Sequence, residues 1–170
     1  MDVSLIIMSV IGVLVGSALV ISSIENHKRR VIYEAWSYLK DLIDIMDTIG
    51  LDKDYLDRYA LSDLTSKIKV VRTLMQRSNE GMNAFIALNE HVKFISVGDA
   101  QKLKHSYELN IDNIQMSLNA VQRSIETYGV SSEYVYELIK RRDRMMVITG
   151  DGLRFIQFKL QLILDELDNK

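Results

Sequence analysis

Histidine and carboxylate side chains are the residues of this sequence whose spacing could support chemistry. Only three histidines are present. His91 and His105 flank Gly98, and Glu108 follows His105 at a spacing that lets both side chains reach one metal ion from a helix. A carboxylate di-metal bundle, however, needs a Glu-x-x-His motif on each of two helices, and the sequence contains neither. We therefore predict neither a metal ion nor another cofactor.

The motifs of the common enzyme classes are also missing. The sequence has no cysteine, which excludes disulfides, thiolate zinc sites and cysteine nucleophiles. It has no HExxH, no phosphate-binding glycine loop and no G-x-S-x-G. The formal net charge of −2 gives no electrostatic reason to expect nucleic acid. These features favour a protein that is not an enzyme, with a metal-binding or enzymatic bundle as the least favoured alternative.

Residues 3–24 are the dominant feature of the chain. They contain no charged side chain and lie between Asp2 and Glu25. As a helix they extend about 33 Å, at 1.5 Å per residue. This is enough to cross a hydrocarbon core of about 30 Å. We predict a transmembrane anchor over residues 1–25 and a helical domain over residues 26–170.

The charges that flank this segment predict its orientation. Asp2 precedes the segment, whereas His27, Lys28, Arg29 and Arg30 follow it. Basic residues near the end of a span are retained in the cytoplasm. We expect a single-pass membrane protein with its N-terminus outside and its C-terminal domain in the cytoplasm. The alternative is the same domain outside the cytoplasm, with a role in the cell envelope or in phage lysis.

Small residues lie on one face of the predicted span. Ser9, Gly12 and Gly16 follow one another at spacings of three and four, and Gly12 and Gly16 form a GxxxG motif. Such a face lets two helix backbones approach closely in lipid. It predicts a homodimer or a larger homo-oligomer, although glycine is also simply common in membrane helices.

The rest of the chain is predicted to form long helices. Proline is absent, and Gly50, Gly98 and Gly129 each end a segment of periodic apolar residues, as helix-stopping glycines do. Three stops predict four helices, joined by short loops into an all-α, antiparallel up-down four-helix bundle that continues from the span. The second helix should begin near Ser62 and the third near Asp99.

Apolar residues recur at alternating spacings of four and three, as in coiled coils and helix bundles. The pattern continues through Gly81 and through residues 150–152, which predicts that the second and fourth helices are uninterrupted. The predicted inward residues include Ile32, Trp36, Leu39, Ile43 and Met46; Ile68, Val71, Met75, Ser78, Met82, Phe85 and Asn89; Leu103, Tyr107, Asn110, Ile114, Ser117, Val121 and Tyr128; and Arg142, Thr149, Leu153, Ile156, Leu160, Ile163 and Leu167.

Folding the helices about their turns places polar residues at matching heights. Ser78 comes level with Ser117, and Asn110 comes level with Thr149. We expect Arg142 to pair with a carboxylate or to extend out of the core. The Gly98 turn and the C-terminus should lie at the membrane end. A basic collar that faces the anionic lipid would then consist of Lys28, Arg29, Arg30, Lys93, Lys102 and Lys104.

Two further groups of residues are candidate contacts for a protein partner. Phe155, Phe158 and Leu162 form a second apolar patch on the last helix, which either packs on a neighbouring helix or docks a partner. Tyr128, Tyr134 and Tyr136 cluster near Gly129, and tyrosines are frequent binding hot spots.

The stretch Ala35-Trp36-Ser37 after an apolar N-terminal helix resembles the LemA family of anchored helical proteins, but the longer block expected to follow it is missing. One span followed by a helical rod also resembles the layout of phage inner-membrane spanins and of division scaffolds in Gram-positive bacteria. The function favoured by the sequence is a membrane-anchored, non-enzymatic scaffold or interaction protein. Its partners would be membrane lipid and a protein that the sequence does not identify.

Overall fold

A computed structural model describes the backbone of residues 3–48, 61–129 and 133–169, which form helices and no strand. Side chains are described for residues 17, 19–46, 65–129, 133–134, 137 and 149–169. The helices are α1 (Val3–Thr48), α2 (Leu61–Val92), α3 (Val97–Tyr128) and α4 (Glu133–Asp168). The prediction of an all-α chain is confirmed for these residues.

The four helices form a closed ring around one core. α1 packs against α2 and α4, and α3 packs against the same two helices, so that consecutive helices are neighbours in space. Arg29 in α1 forms an ion pair with Asp168 at the end of α4, as expected if these two helices run antiparallel. The seam between α2 and α3 has the sparsest contacts of the four. The predicted helical bundle is confirmed at this level.

The core follows the predicted four-three pattern closely. The prediction did not include Ala35 and Leu42, two buried residues of α1. They make the buried face of this helix wider than the single row of apolar residues that the four-three spacing describes. Tyr128 was predicted to face inward, but it is exposed because α3 ends there. The largest fully buried side chains are Tyr107, Phe85, Ile32, Leu39, Leu42, Met82, Ile114, Leu153, Ile156, Leu160 and Val71.

Gly81 lets α1 and α2 approach each other closely. A Cβ atom at this position would lie 2.9 Å from the Cα of Ala35 and 3.3 Å from Cδ2 of Tyr38. No side chain fits into that space without moving the backbone of α1. α2 nevertheless continues through Gly81, as the unchanged apolar phase predicted.

The turn between α2 and α3 differs from the prediction. Gly98 was expected to end α2, but α2 ends at Val92, and Lys93 takes the left-handed conformation with φ of 57°. Asn89, which is buried, accepts a hydrogen bond from the N–H of Ile95 (3.0 Å) and donates one to its carbonyl (3.2 Å). This carboxamide stabilises the turn without a glycine.

α3 begins two residues before the predicted start. Ser96 caps it: the Ser96 Oγ accepts from the backbone N–H of Asp99 (3.1 Å) and donates to the Asp99 carboxylate (2.7 Å). Gly98 therefore lies inside the first turn of α3. The expected stop at Gly129 is confirmed, because its backbone has φ of 80° and its N–H donates to the carbonyl of Ile125.

α4 is continuous through residues 150–152, as predicted. At Gly152 a Cβ atom would lie 2.7 Å from Nδ2 of Asn110 on α3. The glycine therefore makes room for a half-buried amide rather than for a turn. The Nδ2 of Asn110 donates to the carbonyl of Ser106 one turn earlier.

Among the described residues, no helix is both long enough and apolar enough to cross a membrane. The side chains of residues 1–16 and of Ala18, which make up most of the predicted span, lie outside the described set. The sequence also predicts a connection over residues 51–61; residues 51–60 lie outside the described set, whereas Leu61 already belongs to α2. The predicted stop at Gly50 and the side chain of Arg142 lie outside the described set as well.

Candidate interaction surfaces

A groove of about 600 Å³ runs between α3 and α4 at the end of the bundle near the α2–α3 turn. Leu103 and Ile163, both buried, form its floor. Its remaining lining residues are Phe94, Ile95, Asp99, Lys102, Ser106, Phe155, Lys159, Leu162 and Glu166. The apolar walls and mixed charges of this groove resemble those of ligand and peptide sites.

The predicted apolar patch on α4 is exposed rather than packed on a neighbouring helix. Phe155 and Phe158 have 57% and 56% of their surface accessible, and Leu162 has 40%. Phe155 and Leu162 line the groove, whereas Phe158 does not. The ammonium of Lys159 lies 5.3 Å from the centre of the Phe155 ring, which is within reach of a cation–π interaction.

The opposite end of the bundle carries a tyrosine pair. The rings of Tyr128 and Tyr134 lie 4.9 Å apart at an angle of 58°, and both side chains are exposed. They bring together the end of α3 and the beginning of α4. The side chain of Tyr136 lies outside the described residues.

The six residues of the predicted basic collar fall into two groups. Four have a carboxylate within ion-pair distance: Arg29 with Asp168, Arg30 with Glu34, Lys102 with Asp99, and Lys104 with Glu108. Lys28 and Lys93 have no carboxylate partner among the described residues. Lys93 is fully available to an anion outside the protein, because it is exposed at the α2–α3 turn.

The α2–α3 seam contains a polar site that the sequence pattern did not indicate. Arg72 donates to Oδ1 of Asn119 (3.0 Å) and to Oε1 of Gln122 (2.7 Å). Its Nε is buried and has no hydrogen-bond partner. A cleft of about 560 Å³ opens beside it. The hydrogen-bond acceptors of this half-buried guanidinium among the described residues are neutral amides.

One hydrogen bond lies inside the core. The hydroxyl of Tyr107 donates to the Oγ of Ser78 (3.0 Å), and both side chains are buried. Burial raises the pKa of Tyr107 to about 12, and the bond to Ser78 opposes that rise. Ser78 and Ser117, which the sequence predicts at matching heights, are both buried, and Ser78 is bonded to Tyr107. The Oγ of Ser117 has no partner.

The sequence offers a metal site at the histidines only as its least favoured alternative. His91 and His105 are both exposed. No group of three or more histidine, aspartate or glutamate side chains in that part could hold a metal ion. The predicted dimer face at Ser9, Gly12 and Gly16 lies outside the described side chains.

We compared the chain with protein-family models, characterised proteins and solved structures, and none of them matches.

Proposed function

We propose that this protein is a membrane-anchored, non-enzymatic scaffold whose bundle holds a protein partner at the cytoplasmic face of a membrane. The observation that carries the proposal is the exposed apolar part of α1. Leu19, Val20, Ile21 and Ile24 are 50–67% accessible. They continue the uncharged residues 3–16 on one unbroken helix. Lipid is the solvent that suits such a segment.

The charges on either side of this segment support the proposed orientation. Lys28, Arg29 and Arg30 follow the apolar residues after Glu25, Asn26 and His27, whereas Asp2 precedes the segment. Each basic residue close to an anionic leaflet contributes about 1 kcal/mol to membrane attraction. Ser9, Gly12 and Gly16 are the small residues through which two copies would pack.

The exposed aromatic residues support a role in binding. Phe155 and Phe158 on α4 and the Tyr128–Tyr134 pair are large apolar side chains in contact with solvent. Aromatic side chains of this kind anchor protein interfaces. Tethering a partner at the membrane would raise its local concentration without any chemical step.

The absence of cysteine makes the topology directly measurable. Asp2→Cys and Asn169→Cys each introduce the only thiol of the chain. We expect a membrane-impermeant maleimide to label intact cells through position 2 and to label position 169 only after the membrane is opened. The reverse pattern would place the bundle outside the cytoplasm and favour the envelope alternative.

Membrane attachment itself is tested by alkaline extraction of cell membranes. The native chain should stay in the membrane pellet, and Ile11→Arg with Leu14→Arg should release it. Val70→Arg is the matched control, because it adds a charge at an exposed apolar position of the bundle. Release of the native chain would contradict the anchor.

A further inference from the structure

The register between α1 and α2 fixes where the bundle ends relative to the apolar segment. Gly81 lies against Ala35. Because the helices are antiparallel, moving about eleven residues along α2 to Val92 corresponds to moving equally far back along α1 to Ile24, roughly 16 Å on each helix. The α2–α3 turn therefore lies at the height of Ile21 and Ile24, which are exposed.

α1 has no break between its apolar part and the bundle. A flexible linker would let the bundle float away from a membrane surface, but a continuous helix fixes its height. If residues 3–24 lie in the bilayer, the end of the bundle must be at the level of the lipid headgroups. This step rests on the proposed membrane anchor.

The residues at this end have the composition of a membrane-contact surface. Val97 is 53% exposed. Phe94 and Ile95 are half-buried and pack against the core from one side. Asn89 forms hydrogen bonds with both the N–H and the carbonyl of Ile95. These two bonds fix the backbone of the turn and therefore the positions of its apolar side chains. Apolar side chains that lie beside an unpaired lysine, Lys93, suit the boundary between headgroups and acyl chains.

The acidic residues near the turn are neutralised locally. Asp99 accepts a hydrogen bond from Ser96 and lies 3.7 Å from the ammonium of Lys102. Asp168, at the adjacent end of α4, is paired with Arg29. Glu25, Glu90, Asp165 and Glu166 are further exposed carboxylates near this end of the bundle. Lys28 and Lys93 have no carboxylate partner among the described residues, so the charge attraction to an anionic leaflet rests on these two lysines.

We propose that the α2–α3 turn is a second contact with the bilayer. Phe94, Ile95 and Val97 enter the boundary between headgroups and acyl chains, and Lys93 binds lipid phosphate. Together with α1, this contact holds the bundle upright on an anionic phospholipid surface, so that the tyrosine pair points away from it.

The contact can be mapped with single thiols in the cysteine-free full chain. Val97→Cys and Met116→Cys are matched sites, because both lie on α3 and are 53% and 56% exposed. They are separated by roughly 28 Å along the helix. Leu19→Cys reports on the anchor. Each variant is labelled with an environment-sensitive fluorophore and reconstituted into vesicles of phosphatidylcholine and phosphatidylglycerol. The vesicles are prepared with or without a spin-labelled lipid that quenches fluorophores at shallow depth in the bilayer.

We expect a blue shift and quenching at positions 19 and 97 and neither at position 116. Quenching at position 19 with no difference between positions 97 and 116 overturns the second contact while leaving the anchor intact. Absence of quenching at position 19 refutes the anchor itself. Circular dichroism of each labelled variant checks that the fold is retained.

Discussion

Substituting Gly81 by alanine tests the closest helix contact of the bundle. The new Cβ atom would lie 2.9 Å from the Cα of Ala35. Carbon atoms in favourable contact lie about 3.5–4.0 Å apart, so α1 and α2 must separate by roughly 0.6–1 Å at this point. The neighbour is a backbone atom, which cannot rotate away as the end of a side chain could.

The size of the effect is the sum of two opposing contributions. Overpacking a core costs about 1–3 kcal/mol. Alanine is favoured over glycine in a helix by about 1 kcal/mol, which partly offsets the cost. We expect Gly81→Ala to lower the free energy of unfolding by about 1 kcal/mol, which corresponds to a fall in Tm of about 2–4 °C for a domain of this size.

Thermal unfolding of the full chain in a mild detergent, followed by far-ultraviolet circular dichroism, measures this change. Gly98→Ala is the matched control, since it also adds one methyl group to a helical glycine but meets only the Oγ of Ser96 at 4.0 Å. The difference between the two variants isolates the steric cost, about 2 kcal/mol. If Gly81→Ala were as stabilising as Gly98→Ala, the close approach of α1 and α2 would be wrong.

Three further predictions follow from the glycine in α3, the buried hydroxyl and the seam arginine. Gly98→Ala should raise the free energy of unfolding by about 0.5–1 kcal/mol in urea titrations, because Gly98 lies in a helix with a negative φ and with space for a methyl group. A fall in the free energy of unfolding would instead indicate that Gly98 ends a helix, as the sequence predicted. Burial holds the pKa of Tyr107 at about 12 in the folded chain, against 10.0 for a tyrosine in water. Its contribution to stability is therefore complete below pH 10 and is lost as the pH rises through 12. The unfolding midpoint of Tyr107→Phe should fall less over that range than that of the native chain, and equal slopes would contradict the burial of the Tyr107 hydroxyl. Arg72→Met should leave the free energy of unfolding unchanged or raise it, because it removes a half-buried charge whose hydrogen-bond acceptors are neutral amides; a loss above about 3 kcal/mol would reveal a charge partner.

The sequence predicted most of the helices because the apolar spacing is regular and no proline interrupts it. α2 is the best case: Ile68, Val71, Met75, Met82 and Phe85 are all buried as the four-three pattern required. The same continuity of phase predicted α4 through Gly152 although its local composition resembles a turn. Periodicity over many residues therefore outweighed the local turn signal.

The α2–α3 turn could not be predicted in the same way. Glycine is the residue that most often takes the left-handed conformation at the end of a helix, so the sequence predicted Gly98 as the stop. In the structure Lys93 takes this conformation. The decisive contact is between Asn89 and Ile95, in which a carboxamide takes the place of a turn hydrogen bond. It depends on the path of the backbone, which spacing alone does not give.

The candidate interaction surfaces show the same difference between what the spacing along one helix predicts and what depends on the path of the backbone. The sequence placed Phe155 and Phe158 beside the core-facing residues of α4 but left open whether they pack on a neighbouring helix or stay exposed, and the structure shows them exposed. Arg72 and its amide acceptors were missed because the pairing depends on the height of α2 against α3. That height follows from the length and shape of a turn, not from the residues of either helix.

α1 is one unbroken helix from Val3 to Thr48. The distance and the rotation of the bundle relative to the N-terminal part of α1 therefore change together, whereas a hinge would let them vary independently. Each residue of a helix adds about 1.5 Å of length and about 100° of rotation. One residue inserted near Lys28 would therefore turn the whole bundle by more than a quarter of a circle relative to the N-terminal part. Seven inserted residues would restore its heading to within about 20°, but displace it by roughly 10 Å.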